Sequence, residues 1–346
     1  MSAATELRDI LTEGDELTIV CHNNPDPDCL ASALALGRIA ADAGIDERRI
    51  LYSGDISHQQ NRALVNLLEI ELQEFDADIV RDREPGSLLA FVDHAVPGVN
   101  NHVPDGTLVD VVIDHHPTDD IEAGFQDHRD DVGATATILT EYVRELDTEL
   151  DDQLATALLF AIRRETLGFL RGATAAEYEA AGFLHGQADR DLLRKLSSPA
   201  VSSATVDAIA DAIENRQVFG AVLLSNVGRT SERDALPQAA DYLATLEGVG
   251  TTFVFGIVGD SIQLSGRTTD SRVNVGSVLH DAFDDAGSGG GHREMAGAEI
   301  PLGIFADYTS NDRHLVDIVE QVVTARLLAE LNIDTDKGDT QENEAG

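Results

Sequence analysis

What most constrains the fold of this chain is an alternation in its first half. The short apolar runs LTIV (17–20), RILYSG (49–54), SLLAFVD (87–93) and LVDVVIDHH (108–116) are bounded by turn residues and read as strands. The stretches at 29–43 and 58–70 follow the first two runs with apolar residues at helical spacing. Strands that alternate with helices bury their apolar faces as a mainly parallel sheet with flanking helices, joined by right-handed crossovers. Residues 133–147 and 151–163 repeat the three- and four-residue spacing and extend the pattern as helices.

The remainder reads differently. From about 174 to 215 the pattern is helical, and then a second strand-rich unit begins with GAVLLSNV (220–227), TTFVFGIV (251–258) and SIQLSGRT (261–268). A glycine cluster, GSGGG (287–291), precedes AGAEI (296–300) and a last helix at about 313–332. At 346 residues the chain exceeds one small domain. We expect an α/β fold with a catalytic domain over 1–190, a helical linker over 191–218, a smaller C-terminal α/β domain over 219–332, and a disordered acidic tail over 333–346. The active site is expected in the cleft between the two domains.

Charge describes the solvent rather than the ligand. Asp and Glu total 63 against 24 Lys plus Arg, a formal net charge of −39. Such a chain repels itself in dilute buffer, whereas at molar salt the screening length falls to about 3 Å. Adaptation to a salt-rich cytoplasm, as in haloarchaeal proteins, accounts for this. Acidic disorder fits only the tail from about Asp334. No apolar run approaches the ~20 residues that span a membrane, and the acidic N-terminus lacks the features of a signal peptide. The expectation is a cytoplasmic protein without membrane partners. Cys21 and Cys29 form no CxxC pattern and read as buried packing residues.

Three strand ends gather metal-binding side chains. His22, Asp26 and Asp28 follow the first run, Asp93 and His94 end the third, and Asp114, His115 and His116 end the fourth. Ligands of open parallel sheets bind beyond the carboxyl ends of the strands, so these clusters converge. Singly, PDPD is a turn, IDHH a strand end and Asp93 a helix cap. Together, the carboxylates would repel one another without a cation. Mixed carboxylate and imidazole donors suit Mn²⁺, with Fe²⁺, Co²⁺ or Zn²⁺ as alternatives. Two such ions are the usual device for phosphate-ester hydrolysis. His58, His102, His128, His185 and His280 lack this context and read as surface or structural residues.

These motifs resemble those of the DHH phosphoesterase family: HNNPDPDCLAS (22–32), FVDHA (91–95) and IDHHP (113–117) in the first half, then GSGGGHREMAGAE (287–299), similar to the GGGH motif of the family's associated C-terminal domain. SGRTTDSRVNVG (265–276) resembles the arginine-bearing segment before that motif. The resemblance covers nearly the whole chain. It implies that His22 and Asp26 bind one metal, Asp28 and His115 the other, and that Asp93 bridges them. It makes His116 and Asp114 catalytic, with His116 contacting the phosphoryl group or moving a proton and Asp114 orienting a neighbouring ring. One motif departs: where the family has an aspartate, RETLGF (164–169) offers Glu165, either as a longer ligand or as a partner of Arg163 or Arg164.

In the C-terminal domain the resemblance implies a substrate grip from Arg267, Gly289, Gly290, Gly291 and His292. Glycines without Cβ atoms let backbone N–H groups approach phosphate, and Arg267 would hold it bidentately. The implied activity is a phosphohydrolase with two Mn²⁺ ions, Mg²⁺ or Co²⁺ being alternatives, of the nanoRNase and 3′-phosphoadenosine 5′-phosphate phosphatase type. Its partners would be a small nucleotide or short oligonucleotide and, as a homodimer, a second copy. Hydrolysis of cyclic di-AMP or pApA is the alternative; relatives of that type often carry membrane or sensory segments, which this chain lacks. Pyrophosphatase and RecJ-like activities fit less well, since the first has a different C-terminal domain and the second wants a basic, aromatic track. A metal-bound nucleotide sensor or partner subunit without turnover is the alternative of another class.

Overall fold

The computed structural model describes residues 2–54, 56, 59–118, 121–198, 201–306 and 312–333. His58 and the tail from Asp334 lie outside the described residues. The chain divides into two compact units after residue 200.

The first unit opens with α1 (Ala3–Thr12), β1 (Glu16–Asn23), α2 (Pro27–Asp42), β2 (Glu47–Ser53) and α3 (Gln59–Leu67). Then come β3 (Gln73–Glu74), α4 (Ala77–Arg81), β4 (Ser87–Val92), β5 (Val109–Asp114) and β6 (Ala123–His128). Four helices close it: α5 (Thr135–Glu145), α6 (Asp152–Glu165), α7 (Ala175–His185) and α8 (Arg190–Ser197). The sheet order is β3-β2-β1-β4-β5-β6, and every pairing is parallel. The order reverses between β1 and β4, the point at which a crevice opens beyond the carboxyl ends of neighbouring strands.

Burial on both sheet faces explains the continuous apolar runs. Alternate residues feed two cores: Ile19, Cys21, Ala90, Val92, Val111 and Ile113 pack toward one face, and Val20, Leu89, Phe91, Val109 and Val112 toward the other. The helix expected over 29–43 begins two residues earlier. Asp26 caps it by accepting the Asp28 and Cys29 N–H groups at 2.9 and 3.1 Å, and Pro27 occupies a first-turn position where no N–H is required. Its small side chains let α2 pack closely on α5 and α6.

The reading from sequence found four strands in this half, and the sheet has six. β3 is two exposed residues and β6, AGFQDH, is a largely polar edge strand. Neither carries the apolar run that marks a doubly buried strand.

The second unit comprises α9 (Ser203–Glu214), β7 (Gln217–Phe219), β8 (Val222–Thr230), α10 (Ala235–Leu243), β9 (Thr251–Val258) and β10 (Ser261–Thr268). It continues with α11 (Val275–Phe283), β11 (Ser288–Gly291), β12 (Met295–Pro301) and α12 (Asp312–Glu330). Its sheet, β11-β12-β10-β9-β8-β7, is antiparallel except between β8 and β9. All but the first residue of the glycine cluster form the edge strand β11. A Cβ on Gly289 would meet the Leu279 carbonyl oxygen at 2.5 Å, and one on Gly291 would meet the Ala296 Cα at 2.8 Å. At these two positions glycine serves packing against α11 and β12; only Gly290 of the three has open space. No helix among the described residues is long and apolar enough to cross a membrane.

Candidate metal centre

Eight side chains, His22, Asp26, Asp28, Asp93, Asp114, His115, His116 and Glu165, from the ends of β1, β4, β5 and α6 and the start of α2, meet at the carboxyl end of the sheet. Asp93 stands at the middle. It leaves β4 in the left-handed region, with φ of +67°, while its N–H donates to the Ile113 carbonyl at 3.0 Å. Aspartate tolerates this conformation better than most residues, yet such strain persists only where the surroundings enforce it. The Asp93 carboxylate is buried, and its two oxygens face opposite ways: Oδ2 lies 3.5 Å from His22 Nε2, and Oδ1 lies 3.6 Å from His115 Nε2.

Each of these imidazoles is fixed by its other nitrogen. His22 Nδ1 lies 3.0 Å from the Asn23 carbonyl, and His115 Nδ1 lies 3.1 Å from the Val132 carbonyl. A carbonyl only accepts, so Nδ1 donates, and Nε2 is the nitrogen left facing the carboxylates, where it can offer its lone pair to a metal ion. His22 Nε2 is also 3.8 Å from Asp26 Oδ1, and His115 Nε2 is 3.7 Å from Asp28 Oδ2. His115 Nε2 is buried without a hydrogen-bond partner. A lone pair facing carboxylate oxygens is repulsive unless a cation lies between them.

The donor set thus fits two divalent cations, one among His22, Asp26 and Asp93 and one among His115, Asp28 and Asp93. Backbone carbonyls orient both imidazoles, as outer partners do for metal-ligating histidines.

The electrostatics agree. Burial would depress the His22 imidazolium, but Asp26 and Asp93 outweigh it and push its pKa up to about 11. Burial, reinforced by Asp93, Asp26 and Glu165, pushes Asp28 well above the usual carboxylate range. Glu165 is raised by burial and by Asp26 and Asp93, with His115 and Arg171 opposing. Without a metal ion, protons supply the compensating charge.

Asp28 has a second task. Its two oxygens accept the Thr135 and Ala136 N–H groups at 2.8 Å each, so it caps α5 from across the domain. The residue at the N-cap itself is Ala134, which has no side chain to do this. Thr135 also donates its hydroxyl to Asp93 Oδ1 at 2.8 Å. Sequence reasoning missed Thr135, although a helix start lacking a capping side chain is a readable sign that its N–H groups are satisfied from elsewhere.

Asp114 serves His116 rather than His115. It is buried, and its Oδ1 accepts from the His116 N–H at 3.1 Å and lies 2.9 Å from His116 Nδ1. That contact, against the cost of burial, raises His116 to about 9. Burial would raise Asp114, but His116 holds it below its usual value. His116 is half-exposed, and its Nδ1 also lies 3.8 Å from Asp93 Oδ1. His128, at the end of β6, comes unexpectedly close: its Nε2 lies 2.7 Å from the His116 carbonyl. His94 faces inward, stacked on Phe91, and burial with nearby His22 lowers it to about 4.

Glu165 ends α6 facing this cluster. Its ion-pair partner is Arg171, at 3.5 Å, and not Arg163 or Arg164. Leu167, Gly168 and Phe169 follow with φ of +49°, +69° and +70°, a turn that brings Arg171 back to the Glu165 carbonyl at 3.1 Å.

In the second unit, Arg267 is largely buried and engaged. Its Nε donates to Asp241 Oδ1 at 2.5 Å and one terminal nitrogen donates to the Gly266 carbonyl at 2.9 Å. Through the β10–β12–β11 register it shares one end of the sheet with Gly291 and the exposed His292.

Residues 16–162 match the N-terminal domain model of the DHH family and residues 204–325 the DHHA1 domain. The chain belongs to the DHH family. It is 42% identical over 319 residues to the uncharacterized protein MJ1633 of Methanocaldococcus jannaschii, an alignment covering 92% of this chain and 64% of that one. It is 25% identical to the cyclic-di-AMP phosphodiesterase PdeA of Listeria monocytogenes, over 85% of this chain and 46% of that one. The chain therefore spans about half to two thirds of the length of these relatives. Its fold is shared with an exopolyphosphatase-related protein from Bacteroides fragilis, with a TM-score of 0.68 at 13% identity, covering 95% and 97% of the two chains.

Proposed function

We propose that this chain is a two-metal phosphohydrolase of the nanoRNase and 3′-phosphoadenosine 5′-phosphate phosphatase type, acting on short oligoribonucleotides or small nucleotides. The observation that carries the reading is the Asp93 carboxylate between two imidazole Nε2 atoms, each of whose rings is locked by a backbone carbonyl. Mixed carboxylate and imidazole donors favour Mn²⁺, with Mg²⁺ and Co²⁺ as alternatives. Bound there, such ions supply charge neutralisation at a phosphoryl group and a nucleophile at neutral pH.

The chain's own residues do the rest. Asp93 holds the two halves of the site at fixed separation, Thr135 fixes Asp93, and Asp114 keeps His116 charged and aimed. His116 then gives its proton to the departing ester oxygen, which lowers the barrier to its release. In the second unit, Arg267 and His292 are the groups that would contact the nucleotide. Arg267→Ala is expected to raise KM more than it lowers kcat, and an unchanged KM would remove it from substrate binding.

A second reading, cyclic di-AMP hydrolysis, is favoured by the likeness to PdeA. Product analysis with Mn²⁺ in concentrated KCl, chosen because of the net charge of −39, separates the two. AMP from pApA and from 3′-phosphoadenosine 5′-phosphate supports the main reading, and preferential consumption of cyclic di-AMP supports the second. No product from a folded, metal-loaded protein would overturn both.

Glu165 divides ligand from bystander. Glu165→Gln is expected to weaken binding of one metal ion by about 10- to 100-fold, the cost of losing a supporting or ligating group. Unchanged affinity in a calorimetric titration would leave Glu165 only as the partner of Arg171.

A further inference from the structure

The first unit holds a second concavity, lying between α6, α7 and α8, with a volume of about 660 Å³. Its floor is apolar, built from Leu159, Phe169, Ala181 and Leu193, and its rim carries Arg163, His185, Arg190 and Arg194. This rim concentrates cationic side chains in a chain whose acidic residues outnumber Lys plus Arg 63 to 24. Among the described residues of this unit Arg38, Arg49, Arg81, Arg83, Arg129 and Arg171 each sit on a carboxylate, whereas Arg48, Arg144 and Arg164 do not. At the cavity only Arg194 does so, 3.1 Å from Asp191. Among the described residues, the Arg163 and Arg190 side chains have neither an ion-pair nor a hydrogen-bond partner.

We propose that this cavity is a second ligand site that takes a nucleoside phosphate. The volume lies within the range of small-molecule sites, which pair an apolar lining with a few convergent polar groups. A guanidinium fork suits a phosphate and stacks readily on a planar ring, while the floor of Leu159, Phe169 and Leu193 receives the apolar body. The site is separate from the metal centre. Arg163 and Glu165 lie two residues apart on α6, about 200° around the helix axis, and so serve opposite sides of it. The inference does not rest on the hydrolytic reading, because no metal ligand lines the cavity.

The test is calorimetric titration of the full chain with AMP in the presence of a chelator, which disables metal-assisted binding. In the Arg267→Ala background, which removes the nucleotide contact assigned to the second unit, one saturable AMP site per chain is expected, with Arg163→Ala and Arg190→Ala each weakening it about tenfold. Adenosine and inorganic phosphate, offered separately, should each bind at least about tenfold more weakly than AMP, because each supplies half of the recognition. Both variants change exposed side chains outside the metal centre, so metal-loaded hydrolysis should be unchanged and reports that the protein is folded. Absence of saturable AMP binding, AMP affinity unaltered in the Arg163→Ala/Arg190→Ala double variant, or adenosine binding as tightly as AMP would each overturn the proposal.

Discussion

Asp93→Asn is expected to abolish metal-dependent hydrolysis while leaving the fold intact. Asparagine is the informative replacement because residue 93 has a φ of +67°, which asparagine tolerates and alanine does not. The amide keeps one oxygen to accept from the Thr135 hydroxyl, now 2.8 Å away. Its NH₂ group then takes the Oδ2 position and faces the His22 imidazole, which lies 3.5 Å from the native carboxylate. One donor and the central negative charge are lost together, from a position shared by both halves of the site. Loss of an outer partner costs about 10- to 100-fold in metal affinity, so removal of a shared ligand should cost at least about 100-fold. Equilibrium dialysis with Mn²⁺ and AMP release from pApA measure the two effects. Substantial Mn²⁺-dependent turnover by a folded Asp93→Asn protein would falsify the bridging role.

How much of this was legible in the sequence follows from where the information is stored. The parallel sheet was legible because strands buried on both faces are largely apolar throughout, as Ile19–Cys21 and Leu89–Val92 are. The polar edge strands carry no such mark. The convergence of His22, Asp26, Asp28, Asp93 and His115 could be read because topology places strand ends together. What residues do once gathered could not. Nothing in IDHH says that Asp114 takes the second imidazole rather than the first; the choice depends on Val132, whose carbonyl already holds His115. Likewise GSGGG has the composition of a phosphate-binding loop. Only the three-dimensional packing shows that Gly289 and Gly291 are filled by their own neighbours.

The local sequence also gives several residues two duties. Asp26 caps α2 and faces His22, and Asp28 caps α5 and faces His115. The structural reading of PDPD as a helix start and its reading as a metal motif are both physically sound. Helix N-termini stabilise carboxylates, which lets two acidic groups remain close together before any cation arrives.

Proton competition yields the second large effect. In the metal-free protein His22 is raised to about 11 and His116 to about 9. A group whose folded pKa is raised contributes stability that is complete below its unfolded pKa, near 6.5, and is lost as pH rises toward the folded value. Between pH 7 and 9 the metal-free fold should therefore lose stability, by at most about 1.4 kcal/mol per pH unit from the buried His22. The raised carboxyls of Asp28 and Glu165 carry the same sign over the range in which each titrates. Lowered groups do not cancel this: Asp26 and Asp114 sit below the usual carboxylate range and His94 near 4, so their effects lie on the acid side. Metal ions must displace the same protons, so Mn²⁺ affinity should rise about tenfold per pH unit for each proton released. Thermal unfolding with and without Mn²⁺ across pH 7–9 is expected to show opposed trends, falling without metal and flat or rising with it. Parallel curves, or Mn²⁺ affinity independent of pH in that window, would mean that the His22 imidazole keeps its proton and is no metal ligand.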